Sequence, residues 1–235
     1  MPLTRGTATG AAEAGCDLTF TSCSVTNTTE ARPNAQPGGQ RRQVVGGGKR
    51  VKTVDVHAHC VIAEALALLG KTVDENEKRG AGISEVGARR IREMDEQGID
   101  VEALSINPFW YRAERDVAAE IIRIQNDRLA EFCAAHPDRF VAFASVALQF
   151  PELAIEQLVH GVKKLGLRGA AGGGSVAGAE FADPKFHPFW AKAQELGVLI
   201  FIHPQSTPDL KNRLKGNGWL ANTIGNPLDT TIAVS

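Results

Sequence analysis

Two histidines separated by one residue, in Asp55-Val56-His57-Ala58-His59, are the sharpest chemical signal in the chain. They stand at the end of VKTVDVHAH, a valine-rich stretch with the pattern of a buried strand. Residues two apart along a strand point the same way, so His57 and His59 project together beyond its carboxyl end. Two neutral imidazoles on one face suit a divalent metal, zinc in the first place and manganese in the second. By itself the HxH reads equally as two surface histidines. A third histidine, His203, closes another apolar strand in VLIFIHP. Three histidines at carboxyl ends of parallel strands make metal ligation the preferred reading. Three ligands with one open position is the arrangement in which a metal lowers the pKa of bound water to about 7.

Other residues carry weaker signals. Asn107, Phe109, Trp110 and Tyr111 follow the second strand. In that position Asn107 and Trp110 are candidate substrate-binding residues on a strand-to-helix loop, with core packing as the other reading of the aromatics. Gly172, Gly173 and Gly174 could cradle a phosphate, but no Lys-Ser/Thr pair follows, which favours a flexible loop. His136, His160 and His187 fall at a helix end, on a helix and before a proline, places for structural or solvated histidines. Cys60 beside the HxH reads as a small buried thiol. Asp229 lies in the terminal segment and is given no catalytic role.

The elements that must hold these residues alternate. After the VKTVDVHAH strand come a short helix in IAEALALLG, a helix in ARRIREMDEQG, a strand in DVEALSI and a long amphipathic helix ending before Pro137. RFVAFASV is predicted as a strand, PELAIEQLVHGVKKLG as a helix with proline in its first turn, and GLRGAA as a short strand. DPKFHPFWAKAQELG and VLIFIHP complete the series as helix and strand. Near-continuous apolar strands alternating with helices imply a parallel sheet covered on both faces. A doubly wound sheet and a (β/α)8 barrel both satisfy that pattern. The absence of a GxGxxG turn after the first strand weakens the dinucleotide-binding version.

Residues 1–49 differ from the rest. They are rich in Gly, Thr, Ala, Asn, Pro and Arg, lack apolar periodicity, and read as a disordered low-complexity tail before a domain at 50–235. The start lacks the basic and apolar regions of a signal peptide. A net charge of −1 argues against nucleic-acid or polybasic membrane partners, and no apolar run is long enough to span a bilayer. Cys16, Cys23, Cys60 and Cys133 form no CxxC pair, so a disulfide framework is not expected and a cytoplasmic location fits.

Several segments together resemble the aminocarboxymuconate-semialdehyde decarboxylase-like branch of the amidohydrolase superfamily. They are VDVHAH, RIREMDEQGID, HPDRFVAFASVALQFPELAIEQL, KKLGLRG, DPKFHPFWAKAQELGVLIFIHP and GNPLDTTIAVS, colinear from about Val51 onward. The resemblance implies an α/β fold of (β/α)8 TIM-barrel type, with His57, His59 and His203 binding a divalent metal, commonly zinc. It implies non-oxidative decarboxylation of an unsaturated or aromatic carboxylic acid, and a homodimer. Metal-dependent hydrolysis of an ester, lactone or amide is the alternative. The family also uses a histidine after the sixth strand and an aspartate after the eighth. Residues 51–235 are fewer than the roughly 250 of a typical complete barrel, so the expectation is about five β/α units, without those two residues. A catalytically inactive metal-binding fragment is therefore a third reading. A family arginine that grips a substrate carboxylate has no clear counterpart, although Arg79 and Arg89 lie in that region.

Overall fold

In the computed structural model of this chain the described residues are 41–73, 87–205, 212–214 and 220–235. Most of the expected tail, residues 1–40, and Arg79 lie outside them. Residues 41–49, expected to belong to that tail, instead lead into and form a short antiparallel hairpin, β1 (Val45–Gly46) and β2 (Lys49–Arg50). Its physical support is ionic rather than apolar. Arg41 pairs with Asp95 and Asp100, and Arg50 pairs with Asp100, which composition alone does not reveal.

The expected alternation follows. β3 (Val54–His59) leads to α1 (Ala63–Ala67), then α2 (Ala88–Gln97), β4 (Val101–Ser105) and α3 (Arg115–Ala135). β5 (Phe140–Ala142) and β6 (Ala144–Ser145) precede α4 (Pro151–Lys163) and β7 (Gly169–Gly173). A 3-10 turn (Pro184–Phe186) opens α5 (His187–Leu196), followed by β8 (Leu199–His203). A π-helical turn (Ala221–Gly225) then runs into α6 (Asn226–Ala233). The helix ends obey local chemistry: α2 stops at Gly98, whose φ of 80° is left-handed, and α4 starts at Pro151.

β3, β4 and β5 pair in parallel, as do β6, β7 and β8. The segment predicted as one strand is interrupted at Phe143, where the chain leaves β4 and takes β7 as its partner. Each barrel strand is staggered between two neighbours, which accounts for the hand-over. The strand order is thus sequential, with no reversal point, which decides between the two architectures left open above. The fold is α/β of (β/α)8 TIM-barrel type, and these residues supply five of its β/α units.

Two apolar clusters show the layering. The larger lies between strands and helices, with Leu104, Ile121, Leu129, Phe186 and Phe189 fully buried in it. The smaller is the barrel interior: Ala103, Phe143 and Ala171, with Val141 and Phe201 packed beside them. Phe143 and Phe201 stack there, their ring planes 4° apart and their centroids 5.5 Å apart. The first strand departs from its expected burial. Val54 and Val56 of β3 are 49% and 56% exposed, and Leu199 of β8 is 56% exposed. Each of these strands has one strand neighbour among the described residues, so half of its flank is uncovered.

Candidate metal centre

β3 and β8 run parallel to the strands between them, so both deliver their last residues to the same edge of the sheet. Those residues are His59 and His203. β3 also contains a bulge. Asp55 sits opposite Glu102 and Ala58 opposite Leu104, so three steps along β3 match two along β4. A bulge of this kind re-aims side chains and is common beside functional sites. Ala58 joins Leu104 in the helix-side core, while His57 and His59 stand together on the other side.

The three imidazoles converge. Ring centroids are 4.7 Å apart for His57–His59, 4.9 Å for His57–His203 and 4.7 Å for His59–His203. One nitrogen from each falls within 4.8 Å of the others. Phe201 meets His57 edge-on at 5.8 Å, so the trio stands on the stacked aromatic pair of the barrel interior.

The environment disfavours the charged form of two of these rings, His59 and His203. Burial, then the neighbouring His203 and His57 and the Arg90 guanidinium, pull His59 down to about 4, opposed by Asp55. Burial and His57 also lower His203, against the Pro204 backbone and Asp229. Nδ1 of His203 is buried and has no hydrogen-bond partner. An orphaned imidazole nitrogen beside two other imidazoles is a cost unless something takes up its hydrogen-bonding capacity. The donor set fits a divalent transition metal.

The backbone of the HxH strand is held by side chains. The His57 N–H donates to Asp55 Oδ1 at 2.9 Å, and Arg90 Nη1 donates to the His59 carbonyl at 2.8 Å. Arg90 of α2 also forms a buried ion pair with Glu102 of β4. Burial raises the Glu102 carboxyl despite the opposing pull of Arg90. A cavity of about 540 Å³ opens beside these groups, lined by the three histidines, Asp55, Arg90 and Glu102 among others.

The remaining candidates separate. Trp110 is fully buried and its indole N–H donates to the Val146 carbonyl at 3.0 Å, the packing role. Asn107 is half-buried, with Oδ1 lacking a partner. Tyr111 accepts from the Gly173 N–H at 3.1 Å, and its burial raises the phenol. Gly172 and Gly173 belong to β7, so the flexible-loop reading is corrected for those two, while Gly174 follows the strand; a Cβ on Gly173 would crowd the Gln205 side chain. A Cβ on Gly174 would collide with Asp229 Oδ2. Cys60 is buried with its thiol pushed up to about 12, an inert sulfur. Arg89, on α2, pairs with Glu93 on an exposed helix face.

Sequence reasoning undervalues three residues. Asp229, passed over as terminal, is buried, and its Oδ2 accepts from the Gln205 N–H at 2.7 Å, just beyond His203. Gln205 in turn donates to the Pro108 carbonyl at 2.8 Å, tying the loops after β4 and β8 together. Arg90 is buried, in a segment read only as a helix. The one available signal is charge set among apolar residues, which does not say what it meets.

A family model described as amidohydrolase matches residues 54–229. The chain belongs to that family. Among curated proteins it is 37% identical over 159 residues to a gamma-resorcylate decarboxylase of Rhodococcus jostii (strain RHA1), covering 63% of this chain and 47% of that protein. It is 31% identical over 147 residues to a 2-amino-3-carboxymuconate-6-semialdehyde decarboxylase of Dictyostelium discoideum, covering 62% of this chain and 40% of that protein. Each match thus spans less than half of the relative's length. Among solved structures, a dihydroxybenzoic acid decarboxylase from Polaromonas sp. JS666, with bound manganese and the inhibitor 2-nitroresorcinol, superposes with a TM-score of 0.66. That likeness has 30% identity and covers 77% of this chain and 58% of the other. The chain therefore has named decarboxylases among its relatives, and it shares the fold of the solved Polaromonas enzyme over the part it covers.

Proposed function

We propose that this chain carries the metal-binding part of a non-oxidative decarboxylase, acting on an aromatic or unsaturated carboxylic acid. The observation that carries the reading is the convergence of His57, His59 and His203, one nitrogen of each within 4.8 Å of the others. These three residues would hold a divalent ion. When bound, such an ion supplies Lewis acidity that positions a carboxylate and offsets charge as carbon dioxide leaves. The protein's own groups do the rest. The imidazoles present their ring nitrogens, His59 with its charged form disfavoured, while the Phe143–Phe201 stack keeps the site's floor apolar. The adjoining cavity of about 540 Å³ suits a small organic acid by size.

An all-imidazole donor set favours zinc, whereas the Polaromonas relative was determined with manganese. Metal analysis of the purified chain, followed by titration with each ion, separates them. The decarboxylase reading is tested with aromatic acids carrying hydroxyl groups beside the carboxylate, measuring carbon dioxide release. Hydrolysis of an ester or lactone without carbon dioxide would replace it with the hydrolase alternative. A cytoplasmic location, supported by free Cys60 and Cys133, and a homodimer, supported by the family resemblance, belong to the same proposal.

A further inference from the structure

Strand geometry leaves the His59 carbonyl on the uncovered side of β3. The His59–Ser105 register turns the backbone groups of Ala58 and Cys60 toward β4, and the Cys60 N–H duly donates to the Ser105 carbonyl at 3.0 Å. Backbone groups of a strand alternate sides, so those of His59 itself point the other way. No strand lies on that side of β3 among the described residues. The His59 carbonyl is nonetheless satisfied, by Arg90 Nη1 at 2.8 Å.

Arg90 can do this because it is itself held. Its Nε donates to Glu102 Oε2, and both side chains are less than 10% exposed. Glu102 is on β4, the strand that pairs with β3. The guanidinium thus bridges the two strands on the helix side, fixing the last residue of β3 relative to β4. A guanidinium suits this bridging position because it is planar and multidentate, able to reach a carboxylate through Nε and a carbonyl through Nη1 at once. The His57 N–H of the same segment is held as well, on Asp55 Oδ1.

From this arrangement we propose that Arg90, locked by Glu102, is a positioning residue for the candidate metal centre. It rests on the metal reading above and deepens it, naming what sets the direction of the His59 imidazole. Three donors on two strands bind an ion tightly only if their mutual geometry exists before the ion arrives. A bulged strand that has no strand neighbour on that flank among the described residues would otherwise be free to twist, spreading the 4.7 Å ring-centroid separation of His59 and His203. Removing groups that orient ligands costs about 10–100-fold in metal affinity.

The test uses Co2+ as a visible probe of the whole purified chain, with zinc competition for tight binding. Arg90→Lys keeps the charge but cannot reach both partners, so it should weaken Co2+ binding about 10-fold and alter the visible ligand-field bands. Glu102→Gln keeps an acceptor for Arg90, so it should produce a smaller loss in the same direction and serves if the lysine variant fails to fold. Arg139→Lys, in the ionic network where the strands begin, is the control for stability: it should lower the thermal midpoint without changing the bands or affinity. Co2+ binding by Arg90→Lys within about twofold of the parent would overturn the inference, since a lost orienting group costs more than that. So would an equal loss in Arg139→Lys, because affinity would then follow global stability. If the parent itself binds no Co2+, the metal reading fails first and this inference falls with it.

Discussion

The two ends of the sheet treat polar groups in opposite ways. Where the strands begin, charges are matched. Asp100, just before β4, accepts from the Thr53 N–H at 2.8 Å and pairs with Arg41 at 2.7 Å and with Arg50. Arg139, just before β5, donates to the Asp100 carbonyl at 3.1 Å and lies 2.9 Å from Asp95. Where the strands end, His203 Nδ1, Ser105 Oγ and Asn107 Oδ1 are buried without hydrogen-bond partners. A folded chain tolerates such groups at a cost of about 1–3 kcal/mol each. Arg41 Nε and Asp95 Oδ1 at the starting end also lack hydrogen bonds but face each other as an ion pair, whereas the three at the finishing ends have no charged partner of that kind. This division agrees with the general rule for barrels, in which the starting ends of the strands stabilise and the finishing ends react.

Removing a ligand should break the comparison most severely. His203→Ala is expected to reduce Co2+ or zinc affinity by more than about 100-fold while the apo fold is retained. Isothermal titration alongside far-ultraviolet circular dichroism checks both halves. Unchanged affinity would show that the trio does not hold the ion.

The opposite end should respond in stability alone. Asp100→Asn removes the charge that Arg41 and Arg50 share, and a drop of several degrees in the thermal midpoint should follow with metal affinity intact. An accompanying loss of affinity would mean that the two ends are coupled.

Acid should act mainly on the histidine end. His59 is lowered from 6.5 to about 4 in the folded chain. Between those values the unfolded chain takes up a proton that folded His59 refuses. Stability of the apo protein is therefore full above pH 6.5 and declines toward pH 4 through this group. Denaturant melts of the parent and of His59→Gln across that range should differ in slope. Identical slopes would remove the claim that His59 is held neutral.

The smallest effect sharpens the contrast. Ser105→Ala deletes a buried hydroxyl without a partner, so the apo protein should keep or gain up to about 1 kcal/mol. A clear loss of stability would reveal a partner for that hydroxyl.

Much of this is open to reading in the chain itself. Near-continuous apolar runs, near-helical apolar stripes, Gly98 as a helix stop and Pro151 as a helix start locate the elements from β3 onward, because those signals are local. His57, His59 and His203 are legible as a set because strand ends place them by alternation and order alone. Local patterns could not choose between a doubly wound sheet and a barrel, since both bury parallel strands on two faces. The sequential pairing of β3 through β8 decides that, and pairing is a long-range property. Tertiary contacts likewise placed Trp110 in the core, took Gly172 and Gly173 into a strand, and recruited residues 41–50 into a hairpin through Asp100. They also brought Arg90 to the His59 carbonyl and Asp229 to the Gln205 amide. A side chain's type and spacing limit what it can do; which of those things it does depends on partners far away in sequence, and only folding supplies them.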